Sequence, residues 1–238
     1  MEVIVLAGGL GTRLRSVVSE VPKCMAPVNG KPFLYYLLTA LSQYSIGKVV
    51  LSVGYKHECI ENWVRKNGGG FPFEIEFAVE ETPLGTGGGI RLALEKCSSD
   101  DVCIMNGDTF FNVDLALLQE AHGLSGRLLT MAVKHLKYFD RYGTVTIDES
   151  GTVTGFNEKR FCEDGYINAG VYMVSDKWLL KDMPEKFSFE TDYLQPKAMQ
   201  GRVHGFVSDG YFIDIGIPLD YAKANEDFKD FGAWIEKK

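Results

Sequence analysis

The sequence lacks the marks of several protein classes. It has five cysteines in 238 residues (Cys24, Cys59, Cys97, Cys103 and Cys162), an odd number with no C-x-x-C pair. That pattern gives neither a zinc site nor a disulfide framework. Scattered reduced thiols fit a cytoplasmic location. No 18-residue apolar run is present, so no membrane insertion is expected. The N-terminus reads as a strand with an acidic second residue, Glu2, rather than as a signal peptide. Basic residues are in deficit: 25 Lys and Arg against 32 Asp and Glu leave a net charge of −7. That balance argues against nucleic acid as a partner. His57, His122, His135 and His204 have no metal-ligand spacing, and no Ser–His–Asp or Cys–His arrangement can be traced. Trp63, Trp178 and Trp234 read as packing residues. No low-complexity linker, internal repeat or hexapeptide pattern of a β-helix occurs.

What is present is concentrated at the start. Val3 to Leu6 is a short apolar run that reads as a buried strand. It empties into Ala7-Gly8-Gly9-Leu10-Gly11-Thr12-Arg13-Leu14, and Pro22-Lys23 follows. Glycines let backbone N–H groups turn toward an anion without a Cβ in the way. Two fixed cations beside such a loop, Arg13 and Lys23, suit a triphosphate. The loop is not a P-loop, because no lysine stands at the required place. It is not a dinucleotide fingerprint either, because the third glycine is missing.

The first half alternates strand and helix patterns. Apolar residues from Phe33 to Tyr44 recur at three- and four-residue steps, a helix face. Residues 48–53, 73–79 and 102–106 read as strands. Residues 58–66 and 90–97 read as helices, the first stopped by Gly68-Gly69-Gly70. The spacing predicts an α/β fold: a mixed, mostly parallel sheet flanked by helices, with ligands beyond the carboxyl ends of the strands. The second half changes character. Residues 143–147 and 152–156 read as a hairpin, 165–174 and 211–215 as strands, and 175–181, 190–200 and 218–227 as helices. One domain over 1–238 is expected, with a half of about 1–125 built of alternating strands and helices and a β-rich half of about 126–238.

Three further clusters carry chemistry. In Glu80-Glu81-Thr82-Pro83-Leu84-Gly85-Thr86-Gly87-Gly88-Gly89 a strand ends, a proline turn follows, and glycines open a helix where backbone can approach a ligand. Asn106-Gly107-Asp108 and Tyr211-Phe212-Ile213-Asp214-Ile215-Gly216 each put a carboxylate at a strand end, which suits Mg²⁺ beside phosphate oxygens. Tyr142-Gly143, Phe156-Asn157-Glu158-Lys159 and Asn168-Ala169-Gly170 complete the set.

Together these segments resemble the sugar-1-phosphate nucleotidylyltransferases, over nearly the whole chain. The resemblance implies that Leu6, Ala7, Gly8, Gly9, Gly11, Thr12, Arg13, Glu80, Pro83, Gly85, Thr86 and Gly107 hold the nucleotide. It implies that Arg13, Lys23 and Asp108 are catalytic and that Asp108 and Asp214 share one Mg²⁺. Gly143, Glu158, Lys159, Asn168 and Gly170 would hold the sugar phosphate, with Lys159 on the 1-phosphate. Glu80, five residues before the first glycine of its loop, would meet the base edge. A carboxylate only accepts hydrogen bonds at neutral pH, and guanine offers two adjacent donors, which favours GTP. Glu81 is the alternative base reader. Within the family the chain is most similar to the short guanylyltransferases acting on D-glycero-α-D-manno-heptose 1-phosphate. The expected partners are therefore GTP and that sugar phosphate, with room for a homo-oligomer. A uridylyl- or thymidylyltransferase and a non-catalytic nucleotide-sugar sensor are the alternatives. A GT-A-type glycosyltransferase would need a D-x-D motif, which Asp100-Asp101-Val102 and Asp192-Tyr193-Leu194 do not supply. Cys24 departs from the family by standing where relatives often carry proline.

Overall fold

The computed structural model describes residues 1–9, 14, 18 and 20–232. Gly11, Thr12, Arg13 and Trp234 lie outside the described residues. The elements, in chain order, are β1 (Glu2–Leu6), β2 (Pro27–Val28), β3 (Lys31–Pro32), α1 (Phe33–Leu41), β4 (Lys48–Val53), α2 (His57–Asn67), β5 (Glu74–Val79) and α3 (Gly85–Leu94). Then come β6 (Val102–Asn106), β7 (Thr109–Phe111), α4 (Leu115–Ser125), β8 (Leu129–Phe139), β9 (Thr144–Ile147), β10 (Val153–Phe156) and β11 (Cys162–Val174). A π-helix (Phe189–Leu194), α5 (Gln195–Met199), β12 (Val203–Ser208), β13 (Phe212–Asp214) and α6 (Pro218–Asp227) follow.

The unbroken apolar run of β1 is explained by burial on both faces. Val3 and Val5 face one core with α1 and α2, and Ile4 faces a second core with Ile90, Ala93 and Leu94 of α3. Strands β6, β1, β4 and β5 form a wholly parallel block inside a nine-stranded sheet. Leu6 lies level with Ser52 and Asn106, so three carboxyl ends open on one edge. Strand β11 joins the block antiparallel to β6 and also pairs with β8 and β9. The mixed, mostly parallel α/β sheet expected from the sequence is therefore the observed one. Among the described residues no helix is long and apolar enough to cross a membrane.

Several boundaries differ from the sequence expectations. Helix α3 begins at Gly85 rather than Ile90, because its glycines are packing residues. A Cβ on Gly87 would fall inside the Phe187 ring, and one on Gly89 would lie 2.7 Å from Glu80 Oε1. Residues 175–181 form turns instead of a helix. Asp176 Oδ1 accepts from Trp178 N at 2.8 Å, and Leu179 and Lys181 donate only three residues back. Trp178 is exposed rather than packed. The helix expected over 190–200 is split, because Pro196 has no N–H to continue the first pattern. Helix α4 and strands β8 and β12 add elements that the sequence patterns had not assigned.

Candidate active site

Strand β6 ends at Asn106, and the chain turns through Gly107 and Asp108 into β7. Strand β7 pairs antiparallel with β13, Thr109 opposite Asp214, and Ile215 N donates to Asp108 O at 3.0 Å. This short ribbon sets Asp108 and Asp214 side by side. Lys23 arrives from a 3₁₀ turn over Lys23–Met25. Its Nζ lies 2.6 Å from Asp108 Oδ2 and 4.0 Å from Asp214 Oδ1. Burial, and then the charge of Asp108, push the Asp214 carboxyl above the usual range, while Lys23 and the Gly216 N–H oppose the shift. Two carboxylates thus share one ammonium.

Above this group opens a cleft of about 320 Å³. It is lined by Leu6, Ala7, Gly8, Gly9, Lys23, Glu80, Pro83, Gly85, Thr86, Gly107 and Asp108. Ser52, Asn106 and Glu190 also line it, and of these Ser52 and Glu190 lie in no motif of the sequence. Glu190 is held by Thr86, whose hydroxyl donates to Glu190 Oε2 at 2.8 Å while accepting from Phe189 N at 2.9 Å. Glu80 ties the end of β5 to the proline turn, because its Oε2 accepts from Leu84 N at 3.0 Å. Burial raises its pKa, and the bonds from Leu84 and Ser52 oppose the rise. A carboxylate has about four lone-pair sites, so acceptor capacity is left for a ligand. Glu81 lines an adjoining recess with Tyr55 and Lys56, whose wall also includes Glu80 and Pro83.

The five residues expected on the sugar side are not all brought together. Asn168 accepts from Gly170 N at 3.0 Å and donates from Nδ2 to the Tyr172 hydroxyl at 2.7 Å. These bonds fold a bulge into β11, where its register against β8 shifts between Asn168 and Tyr172. Gly170 takes φ +72° and lies so close to the Asn106 amide that a Cβ would collide with it. The bulge therefore abuts the floor of the cleft. Gly143 sits against the Asn157 carbonyl, 2.5 Å from where its Cβ would stand. Glu158 and Lys159 follow on an exposed loop and do not line the cleft. Burial, and then the charge of Asp214, push the Tyr142 hydroxyl up, and its ring meets Phe212 edge-on at 5.7 Å.

The nucleotidyl transferase family model matches residues 2–230. The chain belongs to this family. It is 47% identical over 232 residues to the D-glycero-alpha-D-manno-heptose 1-phosphate guanylyltransferase of Aneurinibacillus thermoaerophilus, covering 97% of this chain and 100% of that one. It is 42% identical over 223 residues to the protein of the same name from Campylobacter jejuni, covering 93% and 97%. Among solved structures, HddC from Yersinia pseudotuberculosis complexed with GMP-PN superposes with a TM-score of 0.85 at 39% identity, over 96% of this chain and 99% of that one.

Nucleotidyl transferases typically use a divalent metal, and the donor set here fits one. Asp108 and Asp214 supply hard oxygens. No cluster of three or more His, Cys, Asp or Glu side chains occurs among the described residues. Mg²⁺ commonly takes one or two carboxylates and completes its shell with water and substrate phosphate. Cys24 lies in the wall of the cleft. Its thiol is buried, points to Ala7 O at 3.8 Å, and is pushed up to about 12 by burial and by Asp108. It remains a neutral packing group beside Lys23.

Proposed function

We propose that the chain transfers GMP from GTP to D-glycero-α-D-manno-heptose 1-phosphate, giving the GDP-sugar and pyrophosphate. The observation that carries this reading is full-length similarity, 47% over 97% of the chain, to a protein of that activity, together with Lys23, Asp108 and Asp214 meeting at one end of the cleft.

In the reaction, an oxygen of the sugar 1-phosphate forms a bond to the α-phosphorus of GTP. The bond from the α-phosphorus to the bridging oxygen breaks, and its electron pair leaves with pyrophosphate. The acceptor needs no strong base, because a phosphate monoester with a second pKa of about 6 is mostly dianionic at pH 7. Catalysis is then positioning and charge neutralisation. Lys23 neutralises charge that grows on the α-phosphate. Asp108 and Asp214 are the residues that would hold Mg²⁺, which when bound draws charge from the phosphates. Arg13 holds the β- and γ-phosphates, and Gly8, Gly9, Gly11 and Thr12 belong with it to the nucleotide-binding residues. Glu80 accepts from the two adjacent donors of guanine while Pro83, Gly85 and Thr86 flank the base. Gly143, Glu158, Lys159, Asn168 and Gly170 belong to the sugar-binding half, with Lys159 on the 1-phosphate.

The test is pyrophosphate release with Mg²⁺ and the heptose 1-phosphate, offering GTP, UTP, dTTP, CTP and ATP in parallel. Release with GTP alone is expected. Equal release with UTP or dTTP would overturn the base assignment, and release only with another sugar 1-phosphate would overturn the heptose.

A further inference from the structure

A second recess lies away from the cleft, between the end of α4 and the segment from the π-helix through α5. Its volume is about 250 Å³, and Arg127, Lys197, Arg202 and Tyr193 line it with no acidic side chain in the wall. In a chain of net charge −7, three cations converging on one concavity is a local inversion of sign. The recess is also built. The Arg127 guanidinium donates to Gly201 O and, at 2.9 Å, to the Thr152 hydroxyl, so it is held in place. Arg202 N donates to Lys197 O at 3.0 Å, which ties the two backbones together at the rim of the recess. The Lys197 ammonium lies 5.3 Å from the centre of the Tyr193 ring, whose other neighbour is Phe189, stacked at 5.8 Å. Asp148, the carboxylate whose charge reaches Arg127, is already occupied by Ser150 and Thr152. No ion pair joins Lys197 or Arg202 to a carboxylate among the described residues.

The charge selects the ligand. Three cations suit a compact anion of high charge. We propose that the recess binds a compact polyphosphate, of which inorganic pyrophosphate is the simplest, and that occupancy reaches the nucleotide cleft through the π-helix.

The link is physical. The π-helix carries Tyr193 near one end and Glu190 near the other. Glu190 accepts from Thr86 in the nucleotide cleft, and Phe187 exchanges backbone hydrogen bonds with Leu84 and Gly87 of the same turn. A ligand that fixes Tyr193 and Lys197 therefore acts on the segment that clamps the proline turn. π-Helical turns often mark functional sites.

Equilibrium dialysis with labelled pyrophosphate on the whole protein tests the site without requiring turnover. Two classes of bound pyrophosphate per chain are expected, one in the catalytic cleft and one in the recess. The Lys197→Gln/Arg202→Gln variant should lose one class, keep the other, and retain wild-type activity without added pyrophosphate. Equal stoichiometry in both proteins would overturn the site. Orthophosphate should bind the second class at least 10-fold more weakly, and equal binding would overturn the polyphosphate assignment. GTP should not displace that class, and displacement would make it a nucleotide site instead. In forward kinetics, wild type should show pyrophosphate inhibition that saturating GTP does not relieve and that the double variant lacks. The same inhibition pattern in both proteins would overturn the coupling.

Discussion

The ammonium of Lys23 stands 2.6 Å from the carboxylate of Asp108, across 85 residues of sequence. With its side chain only 10% exposed, Lys23 is screened little by water. Its positive charge is thus preorganised for the phosphate chemistry beside it. Removing a preorganised electrostatic donor typically costs about 10²–10³ in kcat. Lys23→Ala should lower kcat by about 10²-fold or more. Steady-state kinetics with saturating Mg²⁺ check this, and full activity would remove Lys23 from the reaction.

Asp214 makes a prediction about stability. Its carboxyl titrates above the ordinary value of 3.8 in the folded protein because it is buried beside Asp108. Between the unfolded and folded pKa values the native state holds a proton that the unfolded chain has lost. Stability therefore falls as pH rises through that window, and the whole cost is present at neutral pH. Asp214→Asn should raise the Tm of the metal-free protein at pH 7, flatten its acid-side slope and abolish turnover. In a chain of this size, a gain of about 1 kcal/mol corresponds to about 2–4 °C. A lower Tm at pH 7 would contradict the argument.

The proposed function puts the base preference on Glu80. Glu80→Gln keeps an acceptor but adds a donor that meets the guanine N–H groups badly. The ratio of kcat/KM for GTP over UTP should fall by about 10-fold or more, within the range for a mismatched hydrogen-bonding site. Leu84 N can still donate to the amide oxygen, so the turn should hold. An unchanged ratio would shift the base contact to backbone groups or to Glu81.

The proposed function puts Lys159 on the sugar 1-phosphate. It is exposed on the loop after β10 and does not line the nucleotide cleft. Lys159→Ala should raise KM for the sugar phosphate about 10-fold and leave KM for GTP unchanged, because a lost charge-assisted bond is worth about 1.5–3 kcal/mol. A change confined to the GTP constants would put Lys159 on the wrong substrate.

The sequence made the centre of the fold legible where one physical cause dominated. Val3 to Leu6 and Val102 to Asn106 read as strands because burial on both faces demands unbroken apolar runs. Gly8, Glu80, Gly85 and Asp108 could be placed on one cleft because all lie just past strand ends. Tertiary causes hid the rest. Helix α3 starts on glycines that propensity disfavours, because Phe187 and Glu80 leave no space for a Cβ. Glu190 lies in no motif and reaches the cleft only through its bond with Thr86. Asn168 was legible as a residue of interest, but its bonds to Gly170 and Tyr172, which shape the β11 bulge, depend on strand register.

The ribbon of β7 and β13 gives the reaction centre a date of birth. Its parts come from the beginning, middle and end of the chain: Lys23, Asp108 and Asp214. During synthesis the parallel block β1, β4, β5 and β6 can assemble before the ribosome has released β13, and with it much of the cleft. A nascent chain at that stage lacks the second carboxylate, and Lys23, Asp108 and Asp214 come together only when β13 docks on β7.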